Sequence, residues 1–449
     1  MEKLAYGGQG IARFENQVIF IEGGLPGDMV LSRIQKIKRN YLQARLIKVI
    51  EPSRLRQDAS CGHFGFCGGC KWQNLDYSQQ LLFKREQVME SLQHLADVKA
   101  EVVHPTFPSP LTFGYRNKME FSFTASRWLL PEELARPEVK KGYALGLHVP
   151  DFFDQVMHIE KCWLQDDLMN EILNFTQKYF SDERFSIFNL RSHKGLLRFL
   201  VIRKSFSHKQ YMVNIVTFQP DPDILGEYAR RLTVKFPNIT SIINTVNRRY
   251  AQIAFGDEEY LLHGKPVITE KIGPFEFDIS ANSFFQTNSL QAANLYQTVR
   301  DYVGSGHHLL WDLYSGTGTI ALFLSSQADR VVGFELIESA LQDAYQNCQR
   351  NKVRNCDFIA GEIRQTILSL NEQPQVIVCD PPRGGMHPEI VKELLRIHPQ
   401  KIVYVSCNPT TLARDVKFLL SQYRLKEVQP VDMFPHTHHI ESVAKLERI

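Results

Sequence analysis

Hydrophobic and polar positions follow three different patterns along the 449 residues of this chain. Residues 1–53 alternate between apolar and polar and are interrupted by glycines, which predicts several short strands in a small OB-like β-barrel. Residues 54–268 combine one long helical stripe with alternating strands, which predicts an α+β domain. Residues 269–449 alternate short apolar runs with helical stretches, which predicts a Rossmann-like domain. The expected fold class is α/β, with three domains at these boundaries.

Two apolar runs in the last domain are expected to end at the same edge of a parallel sheet. Val376–Cys379 leads into the sequence DPPR, which begins at Asp380, and Lys401–Val405 leads into SCNP, which contains Cys407. Ligands in open α/β sheets bind beyond the carboxyl ends of the strands. A carboxylate and a thiol at one cleft indicate covalent chemistry on a bound substrate. The alternative is that Cys407 is a buried, inert structural cysteine.

A glycine-rich turn follows another apolar strand of this domain. Leu309–Leu313 leads into YSGTGT, where Gly316 and Gly318 allow the backbone to approach a ligand at a helix N-terminus. Glu335 ends the next predicted strand, about 20 residues further on, where a carboxylate can accept hydrogen bonds from two ribose hydroxyls. The full GxGxxG dinucleotide pattern is missing from the sequence. This favours S-adenosylmethionine (SAM) over a nicotinamide cofactor.

Three of the eight cysteines lie within ten residues, in the sequence CGHFGFCGGC. They are Cys61, Cys67 and Cys70, and Cys162 is the best candidate for a fourth ligand. Four thiolates suit either a [4Fe–4S] cluster or structural zinc. Zinc sites usually use two CxxC pairs and only one is present here, so iron–sulfur is favoured. Unmetallated thiols are the third alternative.

Composition and charge narrow the class of protein and suggest a partner. Hydrophobic residues make up 43% and charged residues 22%, as in an ordinary soluble globular protein. The sequence contains neither an apolar run of membrane-spanning length nor a signal-peptide pattern, so a cytoplasmic monomer with no membrane contact is expected. Residues 1–56 contain ten Lys and Arg against five Asp and Glu. The basic residues around Tyr41 are Lys36, Lys38, Arg39 and Arg45.

Basic groups beside an aromatic ring suit phosphate contact and base stacking, which indicates a nucleic acid as the partner. The alternative is a solvated basic strand face.

Six motifs of the last domain occur in the order of one enzyme family: SFFQTN (283–288), DLYSGTG (312–318), FE (334–335), DPPR (380–383), SCNP (406–409) and HTHHIE (436–441). On these motifs the chain resembles the RNA uracil-C5 methyltransferase family. The resemblance extends to a TRAM-like RNA-binding start and to the cysteine cluster.

The resemblance implies a mechanism and a role for each residue. A thiolate attacks C6 of uracil, C5 takes the methyl group from SAM, and a base removes the C5 proton so that the thiolate can leave. The implied nucleophile is Cys407 and the implied base is Glu441, while Asp380 bonds the uracil edge or the cofactor. The other residues implied to line the SAM site are Gln286, Tyr314, Thr319, Glu335 and Glu362.

The same resemblance implies the fold and the substrate. The implied fold is a TRAM-like barrel, a central α+β domain with a [4Fe–4S] cluster and a class I SAM-dependent methyltransferase domain. This combination is most similar to that of family members that methylate a uridine in 23S rRNA, so 23S rRNA is the expected substrate. Three alternatives stay open: a uridine of the tRNA T-loop, a non-enzymatic RNA-binding or RNA-folding factor, and a redox enzyme that uses the cluster.

Overall fold

The alternating N-terminal segment forms a five-stranded sheet in the computed structural model, which describes residues 1–150, 152, 154–181 and 185–449. Its strands are β1 (Lys3–Leu4), β2 (Gly10–Phe14), β3 (Gln17–Glu22), β4 (Met29–Ile37) and β5 (Tyr41–Glu51). They pair in the order β1-β2-β3-β5-β4, with β3 parallel to β5. Leu4, Leu25, Trp72 and Leu75 form a small buried cluster, so residues beyond the strands complete the core of this sheet.

The chain divides into two compact units that each draw on separate segments. The first unit consists of Met1–Asp58, Lys71–Pro110 and Leu290–Ile449, and the second consists of Ala59–Cys70 and Leu111–Ser289. The sequence-based boundaries after residues 53 and 268 follow changes of pattern, whereas these units follow contacts in space. The N-terminal sheet and the last 160 residues therefore belong to one unit.

A long helix, α1 (Tyr77–Ala96), joins the N-terminal sheet to the rest of the first unit. Asp76 caps its N-terminus, since its carboxylate accepts a hydrogen bond from Ser78 N at 2.9 Å. The helix ends at Asp97, which has the left-handed conformation common at helix C-termini (φ +55°). A short 3₁₀ helix, Ala100–Val102, follows. The apolar side chains of α1 that join the core of residues 290–449 are Val88, Leu92 and Ala96.

The second unit is built on a seven-stranded sheet and a hairpin. Its strands and helices are β6 (Lys118–Thr124), α2 (Pro131–Leu134), β7 (Ala144–His148), β8 (Val156–His158), α3 (Asp167–Phe180), β9 (Leu197–Lys204), β10 (Tyr211–Thr217), α4 (Pro222–Lys235), β11 (Ile239–Val246), β12 (Glu258–Gly264), β13 (Val267–Ile272) and β14 (Phe275–Ser280). The sheet order is β12-β11-β10-β9-β6-β7-β8, and β13 pairs with β14. The central strands β9 and β10 pair antiparallel and are buried along almost their whole length, although the alternating pattern predicts strands with one exposed face.

The last 160 residues form an α/β sheet, as the alternating pattern predicts. Its elements are α5 (Ser289–Val303), β15 (His307–Leu313), α6 (Thr319–Leu324), β16 (Ala328–Glu335), α7 (Glu338–Arg350), β17 (Cys356–Ala360), α8 (Ile363–Ser369), β18 (Val376–Cys379), α9 (Pro388–Ile397), β19 (Lys401–Ser406), α10 (Pro409–Leu419), β20 (Tyr423–Val431) and β21 (Glu441–Arg448). The order is β17-β16-β15-β18-β19-β21-β20. The first five strands are parallel, and β21 runs antiparallel to both of its neighbours.

The register of this sheet brings several strand ends to one edge. Cys379 of β18 lies between Leu313 of β15 and Tyr404 of β19. Ser406, the last residue of β19, pairs with Ser442 near the start of the antiparallel strand β21. The carboxyl ends of the parallel strands and the amino end of β21 therefore meet. No helix in the described part of the chain combines the length and the apolar character that a membrane crossing requires.

Candidate functional site

Two loops at this edge of the sheet are tied together by Asn408. Its side-chain oxygen accepts a hydrogen bond from Thr410 N at 3.0 Å and so caps α10, which begins with Pro409. Its side-chain nitrogen donates to the carbonyl of Arg383 at 3.1 Å, in the loop that follows β18. The sharp strand-to-helix turn leaves Cys407 half-buried at the strand end. The loop that carries Asp380 and the loop that carries Cys407 are thus held side by side, as the sequence predicts.

The protonation of three acidic groups at this edge is linked. The pKa of Cys407 is raised to about 11, mainly by burial and to a smaller extent by Glu441 and Asp380, against an opposing effect of Arg383. Burial, together with Asp380, holds the pKa of the Glu441 carboxyl well above its usual range, against an opposing effect of Arg383. Burial raises the pKa of Asp380 to about 7. At neutral pH the thiol therefore rests protonated, beside two carboxyl groups that can take up or release a proton.

The glycine-rich turn after β15 has the backbone conformation that its sequence predicts. Tyr314, Gly316 and Gly318 all have positive φ angles, of +65°, +53° and +76°. A Cβ on Gly318 would lie 2.9 Å from Ala344 Cβ and from Phe358 Cζ, so a larger residue does not fit there. A Cβ on Gly316 would meet no atom within 4 Å. The turn is packed on the Gly318 side and open on the Gly316 side, where a ligand can approach the backbone.

Glu335 lies across this turn from the end of β16. One carboxylate oxygen accepts a hydrogen bond from Gly316 N at 3.0 Å. The other accepts from Leu336 N at 2.8 Å and from Ile337 N at 2.9 Å. The side chains of Leu336 and Ile337 are 64% and 59% exposed, so an apolar surface lies next to the carboxylate. This combination suits a ligand that has hydroxyl groups and a flat apolar ring.

The other residues predicted for this site are placed differently. Thr319 is the buried first residue of α6, and its hydroxyl lies 3.3 Å from the hydroxyl of Thr317. Glu362 follows β17, but its carboxylate accepts hydrogen bonds from Arg364 and from Gln365 on the following helix. Gln286 belongs to the second unit, where its carbonyl accepts a hydrogen bond from Asn117 Nδ2 at 2.9 Å. Its role at the glycine-rich turn stays a prediction.

Helix α1 contributes buried polar residues to the loop before Glu441, which sequence analysis did not identify. Lys84 Nζ donates to Asp432 Oδ1 at 2.6 Å and to the carbonyl of Phe434 at 3.1 Å, and both charged side chains are 0% exposed. Gln80 accepts from His436 N at 2.8 Å. Residues 80 and 84 lie four apart and share one helical face. Gln80 and Lys84 share this face with the apolar residues Val88 and Leu92. Polar residues in an otherwise apolar stripe were the signal in the sequence that buried partners exist.

The four predicted cysteine ligands lie near one another in the second unit. The pKa of Cys67 is raised to about 12, mainly by burial and to a smaller extent by the neighbouring thiols of Cys162, Cys70 and Cys61. Arg116 lies near Cys162 and Cys70, and its buried Nε has no hydrogen-bond partner among the described residues. None of the eight cysteines, all within described segments, forms a disulfide. No three His, Cys, Asp or Glu side chains in those segments form a ready metal site.

Comparison with known proteins agrees with this geometry. The family described as "tRNA (Uracil-5-)-methyltransferase" matches residues 206–449, and the TRAM domain family matches residues 1–47. An "uncharacterized RNA methyltransferase" of Bacteroides thetaiotaomicron is 40% identical over 99% of this chain and 100% of its own length. The chain belongs to the tRNA (uracil-5-)-methyltransferase family. A similarly named protein of Porphyromonas gingivalis is 41% identical over 99% of this chain and 98% of its own.

A solved methyltransferase structure matches almost the whole length of this chain. The tRNA (uracil-54, C5)-methyltransferase of Pyrococcus abyssi, solved in complex with S-adenosyl-L-homocysteine, has 31% identity and a TM-score of 0.76. The match covers 99% of this chain and 98% of the archaeal one. The predicted family, the N-terminal TRAM domain and the methyltransferase fold of mixed α/β sheets are therefore confirmed.

The buried ion pair between Lys84 and Asp432 gives a prediction about stability. Lys84→Met leaves Asp432 charged, buried and without its cation, and we expect a loss of about 3–5 kcal/mol in the unfolding free energy of the first unit. Urea unfolding followed by tryptophan fluorescence measures it, since Trp72 packs nearby, with Lys84 Nζ 5.9 Å from its ring centroid. Changing both residues, Lys84→Met with Asp432→Leu, should recover much of the loss.

An exposed ion pair between strand β1 and the same helix serves as the matched control. Lys3 and Glu90 form an ion pair of the same 2.6 Å length, but their side chains are 46% and 42% exposed. Lys3→Met should therefore cost less than about 1 kcal/mol. Equal losses for the two single variants would show that burial of the Lys84 pair has no energetic consequence.

The reactivity of Cys407 gives a prediction about pH. Only the thiolate reacts with iodoacetamide, and the pKa of this thiol is raised to about 11. The rate of alkylation at Cys407 should therefore rise about tenfold with each unit of pH until the pKa is approached. Peptide mass spectrometry follows the site, with the Cys407→Ser variant as the blank. A rate that levels off near neutral pH would contradict the electrostatic description of the site.

Proposed function

We propose that this chain transfers the methyl group of SAM to C5 of a uridine in RNA, through a covalent bond between Cys407 and C6 of the base. The observation that carries the proposal is the sheet register. Because Ser406 pairs with Ser442, the residues on either side of that pair, Cys407 and Glu441, end up at the same point of the sheet. A thiol next to a buried carboxyl group is the pair that attack at C6 and proton removal at C5 require.

In the first step the Cys407 thiol gives its proton to the ionised form of the neighbouring Asp380 carboxyl group. The sulfur then bonds to C6, and the electrons of the C5–C6 double bond move to the O4 side as an enolate. Asp380, with a pKa of about 7, is present in both protonation states near neutral pH. Its protonated form can donate a hydrogen bond to O4 and so stabilise the enolate. We therefore assign Asp380 to the uracil edge, with contact to the cofactor as the second interpretation.

The last step removes the proton from C5 after that carbon has received the methyl group. We assign this step to Glu441, whose raised pKa makes the ionised carboxylate a stronger proton acceptor than an exposed glutamate. The electrons of the C5–H bond restore the C5–C6 double bond, the C6–S bond breaks, and Cys407 leaves as a thiolate. Because Cys407 lies next to Glu441, the proton removal and the departure of the thiolate can occur on the same bound base.

The glycine-rich turn fits SAM, which supplies the methyl group from its sulfonium centre. Gly316 leaves the backbone open, Glu335 offers a carboxylate for ribose hydroxyls, and Leu336 and Ile337 offer an apolar surface for adenine. The hydroxyl oxygen of Ser315 is buried without a hydrogen-bond partner among the residues described here. The residues that we propose as cofactor ligands are Gln286, Tyr314, Thr319, Glu335, Glu362 and Asp380. Gln286 and Glu362 enter this set on the family resemblance alone.

The proposed substrate is a uridine of 23S rRNA, with a tRNA uridine as the second candidate. The expectation of 23S rRNA depends on the TRAM domain together with the cysteine cluster. The Pyrococcus enzyme, which is named for uracil 54 of tRNA, matches this chain over almost its whole length and so favours the second candidate. In either RNA, the target base must leave its stack to reach Cys407. The exposed basic side chains of the TRAM domain that would meet phosphates are Lys36, Lys38, Arg39 and Arg45.

We further propose that Cys61, Cys67, Cys70 and Cys162 hold a [4Fe–4S] cluster in a cytoplasmic enzyme. The support is a donor set of four neighbouring thiols, which is the usual ligand set of such clusters. Arg116, with its unpartnered buried Nε, suits a site that becomes more negative when thiolates bind the cluster. With four protein ligands the cluster leaves no open iron position. Its proposed role is to hold the Cys61–Cys70 segment in place for RNA contact.

Mapping of 5-methyluridine tests the methylation proposal. Mass spectrometry of rRNA and tRNA should show the loss of 5-methyluridine from cells that lack this gene, and the wild-type gene should restore it. Loss at a 23S rRNA site supports the first substrate, and loss in tRNA supports the second. Loss in neither RNA would remove the enzymatic proposal and favour an RNA-binding factor.

Two variants separate the proposed roles within the same experiment. Cys407→Ala and Glu441→Gln should both fail to restore 5-methyluridine. Only Glu441→Gln should leave RNA covalently attached to the protein, because it blocks elimination and leaves attack intact. The adduct is detected as a slower band on a denaturing gel that disappears after ribonuclease treatment. An adduct in the Cys407→Ala variant would assign the nucleophile to another residue.

The cluster proposal predicts the inorganic content of the purified protein. Protein prepared without oxygen should contain about four iron and four acid-labile sulfide per chain. Cys67→Ser or Cys162→Ser should abolish this content, whereas Cys348→Ser, which changes a buried cysteine of α7, should retain it. A protein that contains zinc and no sulfide would contradict the cluster and indicate a structural zinc site. A metal-free protein with full activity would leave the four residues as thiols.

A further inference from the structure

A turn of the TRAM domain lies directly against the loop that precedes Glu441. The turn is closed by hydrogen bonds from Ala5 N to the carbonyl of Gln9, at 2.7 Å, and from Gly8 N to the carbonyl of Ala5, at 3.0 Å. Gln87 Nε2 of helix α1 also donates to the carbonyl of Ala5, at 3.2 Å. The turn is therefore fixed both internally and from the helix that holds the catalytic loop.

Gly8 shows how closely the two segments approach. Its φ angle is +87°, and a Cβ at this position would lie 3.1 Å from His438 Cβ and from Lys71 Cδ. Its carbonyl accepts a hydrogen bond from Trp72 Nε1 at 3.4 Å. Both the backbone conformation and the lack of space favour glycine here. The close approach places the preceding residues of the turn next to the catalytic loop.

Tyr6 extends from this turn onto the loop that precedes Glu441. Its ring meets the ring of His438 edge to face, with centroids 6.4 Å apart and an interplanar angle of 77°. The residue is nevertheless 38% exposed, so part of its ring remains open to a ligand. Burial raises the pKa of its hydroxyl, the charges of Cys407 and Glu441 add to the increase, and Arg383 opposes it. The phenol is therefore neutral and lies within electrostatic reach of the proposed nucleophile and base.

We propose that Tyr6 of the TRAM domain is a positioning residue whose ring forms one wall of the uracil pocket and holds the extruded pyrimidine over Cys407. This inference rests on the methylation function proposed above. An aromatic ring that is partly supported by His438 and partly exposed can stack on a base without a large loss of side-chain entropy. Through Tyr6, the RNA-binding domain would also take part in orienting the reacting base.

Three variants test this proposal: Tyr6→Ala, Tyr6→Phe and Phe418→Ala. Phe418 is an aromatic residue of α10 that is 59% exposed and serves as the matched control. The substrate is rRNA and tRNA from cells that lack this gene, with radiolabelled SAM as methyl donor. We expect Tyr6→Ala to lower kcat/KM for RNA about ten- to a hundredfold, the range of one lost base–aromatic stack. Tyr6→Phe keeps the ring and should stay within about threefold of wild type, and Phe418→Ala should match wild type.

Two further measurements separate positioning from a structural role. SAM affinity and the thermal unfolding midpoint should be the same in Tyr6→Ala as in wild type, because the ring makes its contact on the catalytic loop and not at the glycine-rich turn. Normal RNA methylation by Tyr6→Ala, or equal losses for Ala and Phe, would overturn the role of the ring. A parallel loss of SAM affinity or stability would also overturn it. If wild type itself methylates no RNA, the failure lies with the proposed function and not with Tyr6.

Discussion

The antiparallel pairing of β21 with β19 is the constraint on which the site depends. A purely parallel sheet would bring only carboxyl ends to this edge, and Glu441, at the amino end of its strand, would lie at the opposite edge. Because β21 runs in the reverse direction between β19 and β20, its second residue, Ser442, pairs with the last residue of β19, Ser406, and Glu441 lies next to Cys407. A continuous ladder from Lys401↔Glu447 to Ser406↔Ser442 fixes this register. A shift by one residue would turn Glu441 to the other face of the sheet.

The loop that leads into β21 needs separate support, because a ladder fixes only the strand. Helix α1 provides it with a buried charge and a buried amide, Lys84 and Gln80, that bind Asp432 and His436. A buried ion pair contributes little net stability, since desolvation offsets much of the attraction. Its effect on geometry is stronger, because any arrangement that separates the two charges leaves each of them unpaired in an apolar core. The pair therefore selects one loop conformation, and Glu441 follows directly from that loop.

The sequence was sufficient for the parts of the site that are local in the chain. Apolar runs followed by DPPR and SCNP predicted the strand ends of Asp380 and Cys407. The positive φ angles of Gly316 and Gly318 follow from the lack of a side chain, whereas the positive φ of Tyr314 has no such signal in the sequence. It was not sufficient for contacts between distant segments. Lys84 and Asp432 are 348 positions apart, and neither lies in a recognisable motif. Glu362 shows that a motif can also mislead. The family pattern assigns its carboxylate to the cofactor, but in the structure the carboxylate accepts a hydrogen bond from the neighbouring Arg364.

The electrostatics of the site follow from the same geometry. Cys407, Asp380 and Glu441 each become negative on losing a proton, and burial makes each loss harder than it would be in water. The charge of Asp380 adds to this effect for Cys407 and for Glu441. Arg383 lowers the pKa of both Cys407 and Glu441, which limits this effect. A site of this kind holds protons at rest and releases them when a bound group accepts charge. The enolate of the proposed reaction, formed beside Asp380, would be such a group, so the proposed chemistry needs no permanently ionised thiol.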